Sequence, residues 1–453
     1  MAVYKKHGFG GRAGDASPAL VERRDYVGKK YLTCMDCHEK FFGPHLYECP
    51  KCNGILQVGY EADGEFAARN AEDGGVAGNG KIVRGGSAVS FSSLCDEEYP
   101  GMWRYKTFLP VEDKKNIVTL GEGMTALVRA GRMYRELGIE NLYIKNEFSN
   151  PTASFKDRPT SVGISVAKEC GADTVAVAST GNAGVAVAAY AAKAGMKSIV
   201  CAPSDTAEGK IAQLLAYGAN IFYVDGNYSD CFGMVKEACG EYGYVNLTST
   251  YVNPYTVEAD KTVAYELSEQ LGGRVPEWII VPVGTAPLLG GVWRGYRELR
   301  SLGFIDRLPR MVGVQAANCS PIAKAFYSRR EVRSEPETEY TLAGGIADQL
   351  VGYEKDGDFT IRQIRESGGD CIMLTEEELF ECWHELCFRE GVFSEPAGAA
   401  AVGAVKKLRQ NPAFHEDDLI VSLVTAHGLK YPDLPNRLQS KAVVVTNAKE
   451  LKI

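Results

Sequence analysis

Short runs that are apolar on both faces recur along this chain, at Thr174–Ala178, Ser198–Cys201, Asn220–Val224, Trp278–Val283, Met311–Gln315 and Leu419–Val424. Helical patterns lie between them: an Ala-rich one from Ala183, one through Lys210-Ile211-Ala212-Gln213-Leu214-Leu215 and one through Trp293-Arg294-Gly295-Tyr296. A strand with no polar face cannot border water on either side. The alternation therefore predicts an α/β fold whose parallel-type sheets are covered by helices. Ligands of such folds bind beyond the carboxyl ends of the strands, where Ser179 to Asn182, Gly284 and Thr425 all fall.

The chain has 453 residues, 45% of them hydrophobic and 24% charged, which describes a soluble globular protein longer than one ordinary domain. Its net charge of −8 argues against nucleic acid as a partner, because phosphate backbones need a basic surface. No apolar stretch near the start suits a signal peptide. The most apolar segment, 174–202, is broken by Ser179, Gly181, Asn182, Gly184 and Lys193, so no membrane span is expected. Thirteen cysteines without a signal fit a reducing, cytoplasmic setting. The expected organisation is a loosely ordered arm over 1–30, a Cys/His module over 31–58 and a Gly/Asp/Asn-rich linker or insert over 59–100. The main body then runs over 101–453, with a small subdomain at about 160–270 inserted in a larger one.

Three separated pieces carry chemistry. The first is Asn150-Pro151-Thr152-Ala153-Ser154-Phe155-Lys156-Asp157-Arg158, which places a lysine after a Pro-containing turn at the start of a helix. A helix N-terminus and Arg158 nearby disfavour an ammonium and so favour imine formation by Lys156. The second is the loop Ser179-Thr180-Gly181-Asn182 followed by Ala183, where free N–H groups suit a carboxylate and Asn182 can donate to a phenolic oxygen. The third is Thr425-Ala426-His427-Gly428, with a hydroxyl at a strand end. An amine, an amide and a hydroxyl in this order are the parts that hold pyridoxal phosphate. Taken singly, each has an ordinary reading: a solvated lysine, a capped βα turn, a strand-end hydroxyl bonded to local backbone.

These segments resemble the threonine synthases within the tryptophan-synthase-β-like, fold type II, pyridoxal-phosphate enzymes. So do Gly121-Glu122-Gly123-Met124-Thr125, Lys210-Ile211-Ala212-Gln213 with Tyr217-Gly218-Ala219, and Lys261-Thr262-Val263-Ala264-Tyr265-Glu266. The resemblance implies a two-domain fold and a carbon–oxygen lyase acting on an amino acid, in which a γ-substituent is lost and water adds at Cβ. It implies Lys156 as the cofactor-bearing residue, Asn182 at the ring oxygen, Thr425 at the ring nitrogen, and Gly284-Thr285-Ala286-Pro287-Leu288 at the cofactor phosphate. Ser154, Ser179, Thr180, Gly181 and Ala183 are then expected at the substrate, and a homo-oligomer is compatible with the family. Several family positions differ here. Pro287 has no N–H to donate, so one phosphate contact is expected to be lost or moved toward Gly290-Gly291. Thr256 stands where an arginine is usual, Ala183 where a threonine is, and Ala126 where a proline is. Lys210, Arg158 and Arg294 are the cations that could restore the charge. The alternative activity is β-elimination or β-replacement on a serine-derived substrate, as in cysteate synthase or the serine/threonine dehydratases.

Cys34-Met35-Asp36-Cys37 and Cys49-Pro50-Lys51-Cys52 form two knuckles separated by eleven residues, the pattern of a zinc ribbon with four thiolate ligands and a structural Zn2+. A metal-free remnant and a redox pair are the alternatives, and His38 and His45 are secondary candidates for ligands. A module this small draws its folding free energy from the metal.

Overall fold

The computed structural model describes residues 30–42, 46–60, 76–77, 81–84, 87–91, 95–179, 181–204, 206, 208–432 and 434–438. The expected arm at 1–30, apart from Lys30, lies outside the described residues, as do His45 and Thr180.

Two sheets organise the body. One has four parallel strands in the order Asn220–Val224, Lys197–Pro203, Thr174–Ala178, Val245–Asn246. The other has six, in the order Asp370–Leu374, Arg310–Ala316, Trp278–Pro282, Ile420–Val424, Leu142–Asn146, Leu127–Arg129, and only the last runs antiparallel. Every residue of Thr174–Ala178, Trp278–Pro282 and Ile420–Val424 is buried, as strands covered on both faces require. Helices Asp157–Glu169 and Asn182–Ala194 follow the Lys156 turn and the first strand of the small sheet. Helices Pro254–Gln270 and Pro287–Ser301 pack closely on each other. A Cβ at Gly295 would lie 2.7 Å from Ala264 Cβ, and one at Gly291 would lie 2.4 Å from Asp260 Cβ. Among the described residues no helix is long and apolar enough to cross a membrane.

Within 59–100, the expected linker or insert, the described residues include three short strands. Strands Val76–Ala77, Lys81–Arg84 and Ser87–Ser90 make an antiparallel sheet. Phe91 and Cys95 are buried, and Phe91 contacts the rings of Tyr105, Phe108, Tyr265 and Phe304 with centroids 5.2–6.0 Å apart. The Cys module is likewise joined to the body. Its antiparallel sheet, Lys40–Phe41, Lys30–Cys34 and Leu56–Tyr60, buries Leu32, Leu56 and Val58 against Trp103, Val162, Val166 and Ala259. Glu48 pairs with Lys355 at 2.7 Å and with Lys236 at 3.3 Å, and Tyr60 donates to Glu258 at 2.8 Å.

A buried ion cluster anchors the helix that Lys156 opens. Arg158 lies 2.7 Å from Glu147 and 2.5 Å from Glu266, and Lys145 lies 2.7 Å from Glu266, with all four side chains fully buried. Thr262 accepts a further bond from Arg158 at 2.9 Å. Burial works to raise the Glu266 carboxyl, but Arg158 and Lys145 outweigh it and hold Glu266 down to about 2.

Candidate active site

A cavity opens at the carboxyl ends of strands from both sheets and receives Lys156. The turn before Lys156 is fastened at two levels. Asp157 accepts bonds from the Thr152 N–H at 2.9 Å and the Thr152 hydroxyl at 3.1 Å. Phe155 N–H donates to Thr425 O at 2.9 Å, and His427 N–H donates to Ala153 O at 3.1 Å. Two of the sequence's separated pieces are thus stitched backbone to backbone. Lys156 Nζ hydrogen-bonds Ser249 Oγ. Burial lowers the Lys156 ammonium to about 8, against the raising pull of Asp260 and then Asp348. The direction matches the sequence expectation, but the cause differs. Arg158 is instead held by Glu147 and Glu266 inside the ion cluster.

The loop after Thr174–Ala178 forms the second wall. Ser179 Oγ accepts from the N–H groups of Gly181 at 3.0 Å and Gly184 at 2.8 Å, capping the helix that follows. Asn182 Nδ2 donates to Glu395 at 3.0 Å, while its Oδ1 is buried without a partner. Gly181 lies against Lys210: a Cβ there would lie 2.3 Å from Lys210 Cδ, so a larger residue would displace that flexible side chain. Lys210 Nζ lies 3.4 Å from Glu395 Oε1. Of the three cations considered from sequence, Lys210 lines the cavity, whereas Arg294 pairs with Glu258 at 2.7 Å and Arg158 with its cluster.

The turn Gly284-Thr285-Ala286-Pro287-Leu288 lines the opposite side. Ala286 takes the left-handed conformation, φ 73°, and Pro287 is the first residue of helix Pro287–Ser301. There a missing N–H costs nothing, because the first N–H groups of a helix have no intrahelical acceptor. Gly290 and Gly291, the alternative considered from sequence, stand further along this helix. Both lie within the helix, where a Cβ on Gly290 would meet Tyr251 OH at 2.3 Å and one on Gly291 would meet Asp260. Thr285 Oγ1 donates to Ser249 O at 3.2 Å and lies 3.3 Å from Asp348 Oδ2. Asp348 also accepts from Tyr353 OH at 2.7 Å, and burial raises its carboxyl.

Thr425 lines the cavity beside Ala426. Ser154 does not. It is fully buried and pairs with Ala426 through backbone, and its Oγ has no hydrogen-bond partner. Ser249, Asp348 and Glu395 also line the cavity and were not picked out from sequence. The one available signal was Glu395-Pro396 at a helix start, since a Pro at N1 marks such a start.

The lining suits pyridoxal phosphate. It offers a half-buried amine at Lys156, an amide at Asn182, a hydroxyl at Thr425 and the N-terminus of helix Pro287–Ser301. At the other end of the chain the four thiols of Cys34, Cys37, Cys49 and Cys52 lie within 4.8 Å of one another, without His38. Cys34 and Cys52 are 3.4 Å apart and Cys37 and Cys49 are 3.6 Å apart. A tetrahedron with metal–sulfur bonds of ~2.3 Å has edges of ~3.8 Å, so the cluster is close to that size.

Residues 118–426 match the family described as pyridoxal-phosphate dependent enzyme. The threonine synthase of Methanocaldococcus jannaschii is 40% identical over 413 residues, 91% of this chain and 96% of that protein. The threonine synthase of Methanosarcina acetivorans is 35% identical over 404 residues, covering 89% and 92%. Among solved structures, maize serine racemase superposes with a TM-score of 0.59 at 23% identity, over 67% of this chain and 88% of that one.

Proposed function

This chain belongs to the pyridoxal-phosphate dependent enzymes, and on that premise we propose that Lys156 carries the cofactor, with Asn182 at the ring oxygen, the Gly284–Leu288 turn at the phosphate and Thr425 at the ring nitrogen. The chain is a threonine synthase-like carbon–oxygen lyase acting on an amino acid. The cofactor, when bound, supplies an electron sink for negative charge developing at the substrate Cα.

Everything else falls to the chain's own groups. Ser179, Gly181, Asn182 and Ala183, at the N-terminus of helix Asn182–Ala194, hold the substrate carboxylate. Lys156 removes the Cα proton and, for loss of a γ-substituent, the Cβ proton. Its lowered pKa, about 8, leaves part of the population as free amine near neutrality. Ser249 orients that amine. Asp348, buried behind Thr285, fixes the phosphate turn. The supporting observation is the half-buried Lys156, bonded to Ser249, on the wall of the cavity that the helix start at Pro287 and Thr425 also line. Reduction of the purified protein with borohydride, digestion and mass spectrometry should find the pyridoxyl group on Lys156, and a label on another lysine would overturn the reading.

For the substrate, the resemblance to the threonine synthases implies O-phosphohomoserine, with water added at Cβ. Lys210 is the cation available on the cavity wall. A β-elimination or β-replacement on a serine derivative is the second reading. It is favoured by the neutral Ala183 and Thr256 beside Lys156 and by the sequestration of Arg158 and Arg294. Phosphate and threonine released from O-phosphohomoserine support the first; keto acid from serine esters alone supports the second.

The four thiols are read as ligands of one structural zinc ion. Native mass spectrometry should show one zinc per chain. Chelation should expose the ribbon to protease, since without metal the small sheet keeps only its contact with the body.

A further inference from the structure

Behind Lys156 lies a second, smaller cavity, which shares Lys156 and Ser249 with the first and is closed by Thr160, Thr250, Thr256 and Asp260. Its polar lining is hydroxyls and one carboxyl. The Thr256 hydroxyl donates to Asn253 O at 2.8 Å, so its hydrogen is already committed. Asp260 is different: it is 1% exposed and its Oδ1 has no partner. The other acids of the same helix are matched, Glu258 by Lys261 at 2.8 Å and Glu266 by Lys145 and Arg158. Close packing at Gly291 fixes the backbone from which Asp260 projects. A carboxyl oxygen without a hydrogen-bond partner in a closed space, here beside the Lys156 amine, is costly to a fold and is a candidate for work on a ligand.

The geometry points to Asp260, on the wall of this small cavity, as a further catalytic residue, the acid that protonates the oxygen of the departing group at the distal end of the substrate. The assignment rests on the reading that Lys156 carries the cofactor. In the elimination, a C–H bond breaks and its proton goes to Lys156 Nζ. The electron pair forms the new carbon–carbon π bond, and the C–O bond breaks with its pair on oxygen. Asp260 gives its proton to that oxygen and is left as carboxylate, then regains a proton from the water that adds or from solvent.

The electrostatics agree. Burial raises the Asp260 carboxyl to about 8; Lys156 and Arg158 pull it down and Glu147 pushes it up. Lys156 in turn faces Asp260 and Asp348. Once the Lys156 nitrogen carries no charge its downward pull is gone, and Asp260 holds its proton until the leaving group needs it.

The test uses Asp260→Asn in the full-length, cofactor-loaded protein with paired substrates. One member is an oxygen ester and the other releases chloride, which needs no proton: O-phosphohomoserine against γ-chloro-homoalanine on one frame, O-acetylserine against β-chloroalanine on the other. We expect kcat to fall about 100-fold or more on the ester and to stay within about threefold on the chloride. In cofactor-free protein, modification of Lys156 by trinitrobenzenesulfonate should move to lower pH in the variant, because the carboxylate that favours the ammonium is gone. Ester turnover within about threefold of the parent, or equal losses on ester and chloride, would overturn the assignment. Failure of the cofactor-lysine reading would show separately, as a parent protein with no borohydride label on Lys156. Should the variant not fold, the parent's pH profile decides: an alkaline limb seen with the ester and absent with the chloride is expected, and the same limb with both overturns the assignment.

Discussion

Lys156→Ala should lose turnover by at least about 10³-fold while the protein stays folded, because the change removes both the tether and the proton carrier. The absorbance of bound cofactor should vanish with it, and circular dichroism should be unchanged. A second readout comes from linkage. In the folded protein the Lys156 ammonium is lowered to about 8 by burial. Above that value, and up to about 10.4, the unfolded chain binds a proton that the folded chain does not, so folding gains as pH rises through this window. Urea midpoints of the cofactor-free parent should rise across it, and those of the alanine variant should lack this contribution. A variant that keeps the pH-dependent rise and the turnover would remove Lys156 from the chemistry.

Arg158→Met should have the largest effect on stability, about 3–5 kcal/mol, read as a drop in the urea midpoint at constant slope. The guanidinium bonds Glu147 and Glu266 at 2.5–2.8 Å from a fully buried position. Methionine fills much of the same volume but leaves Glu147 with no cation and Glu266 with Lys145 alone. The penalty is the uncompensated buried charge, not the loss of a bond to water. Glu266 also fixes a pH window. Its folded carboxyl is held down to about 2, so its contribution is fully present above the unfolded value of about 4.3 and is lost as pH falls toward about 2. The variant should therefore lack most of this fall, so that its deficit against the parent is largest above about 4.3 and narrows as pH drops toward about 2.

The apolar strands of the sequence coincide with observed ones. Thr174–Ala178 and Asn220–Val224 agree at both ends. Leu142–Asn146 was not read as a strand, because Lys145 interrupts its pattern. That lysine is fully buried and paired with Glu266, 121 residues away, a partner no local window contains. The lysine turn, Asn182, the Gly284–Leu288 turn and Thr425 were legible, since each combines a chemical group with a break in secondary structure. Ser154 sits in the same motif yet is fully buried outside the cavity lining, its Oγ without a hydrogen-bond partner. Asp260 and Asp348 could not be found. A carboxylate's neighbours in sequence do not reveal whether it is wet or dry, and both are dry only because distant helices close over them. The glycine-rich composition of 59–100 hid Phe91, whose burial depends on four rings from elsewhere in the chain.

Glu48, on the cysteine-rich module, reaches Lys236 in the helix beside the small sheet and Lys355 in a helix flanking the large one. A single carboxylate therefore clasps the two halves between which the reaction cleft lies. Both ammonium groups are substantially wet, at 54% and 38% exposed, so each grip is worth about 0–1 kcal/mol. A clasp that weak is comparable to thermal energy. It biases the halves toward one spacing but cannot lock them, and rising salt should loosen it before it disturbs anything buried.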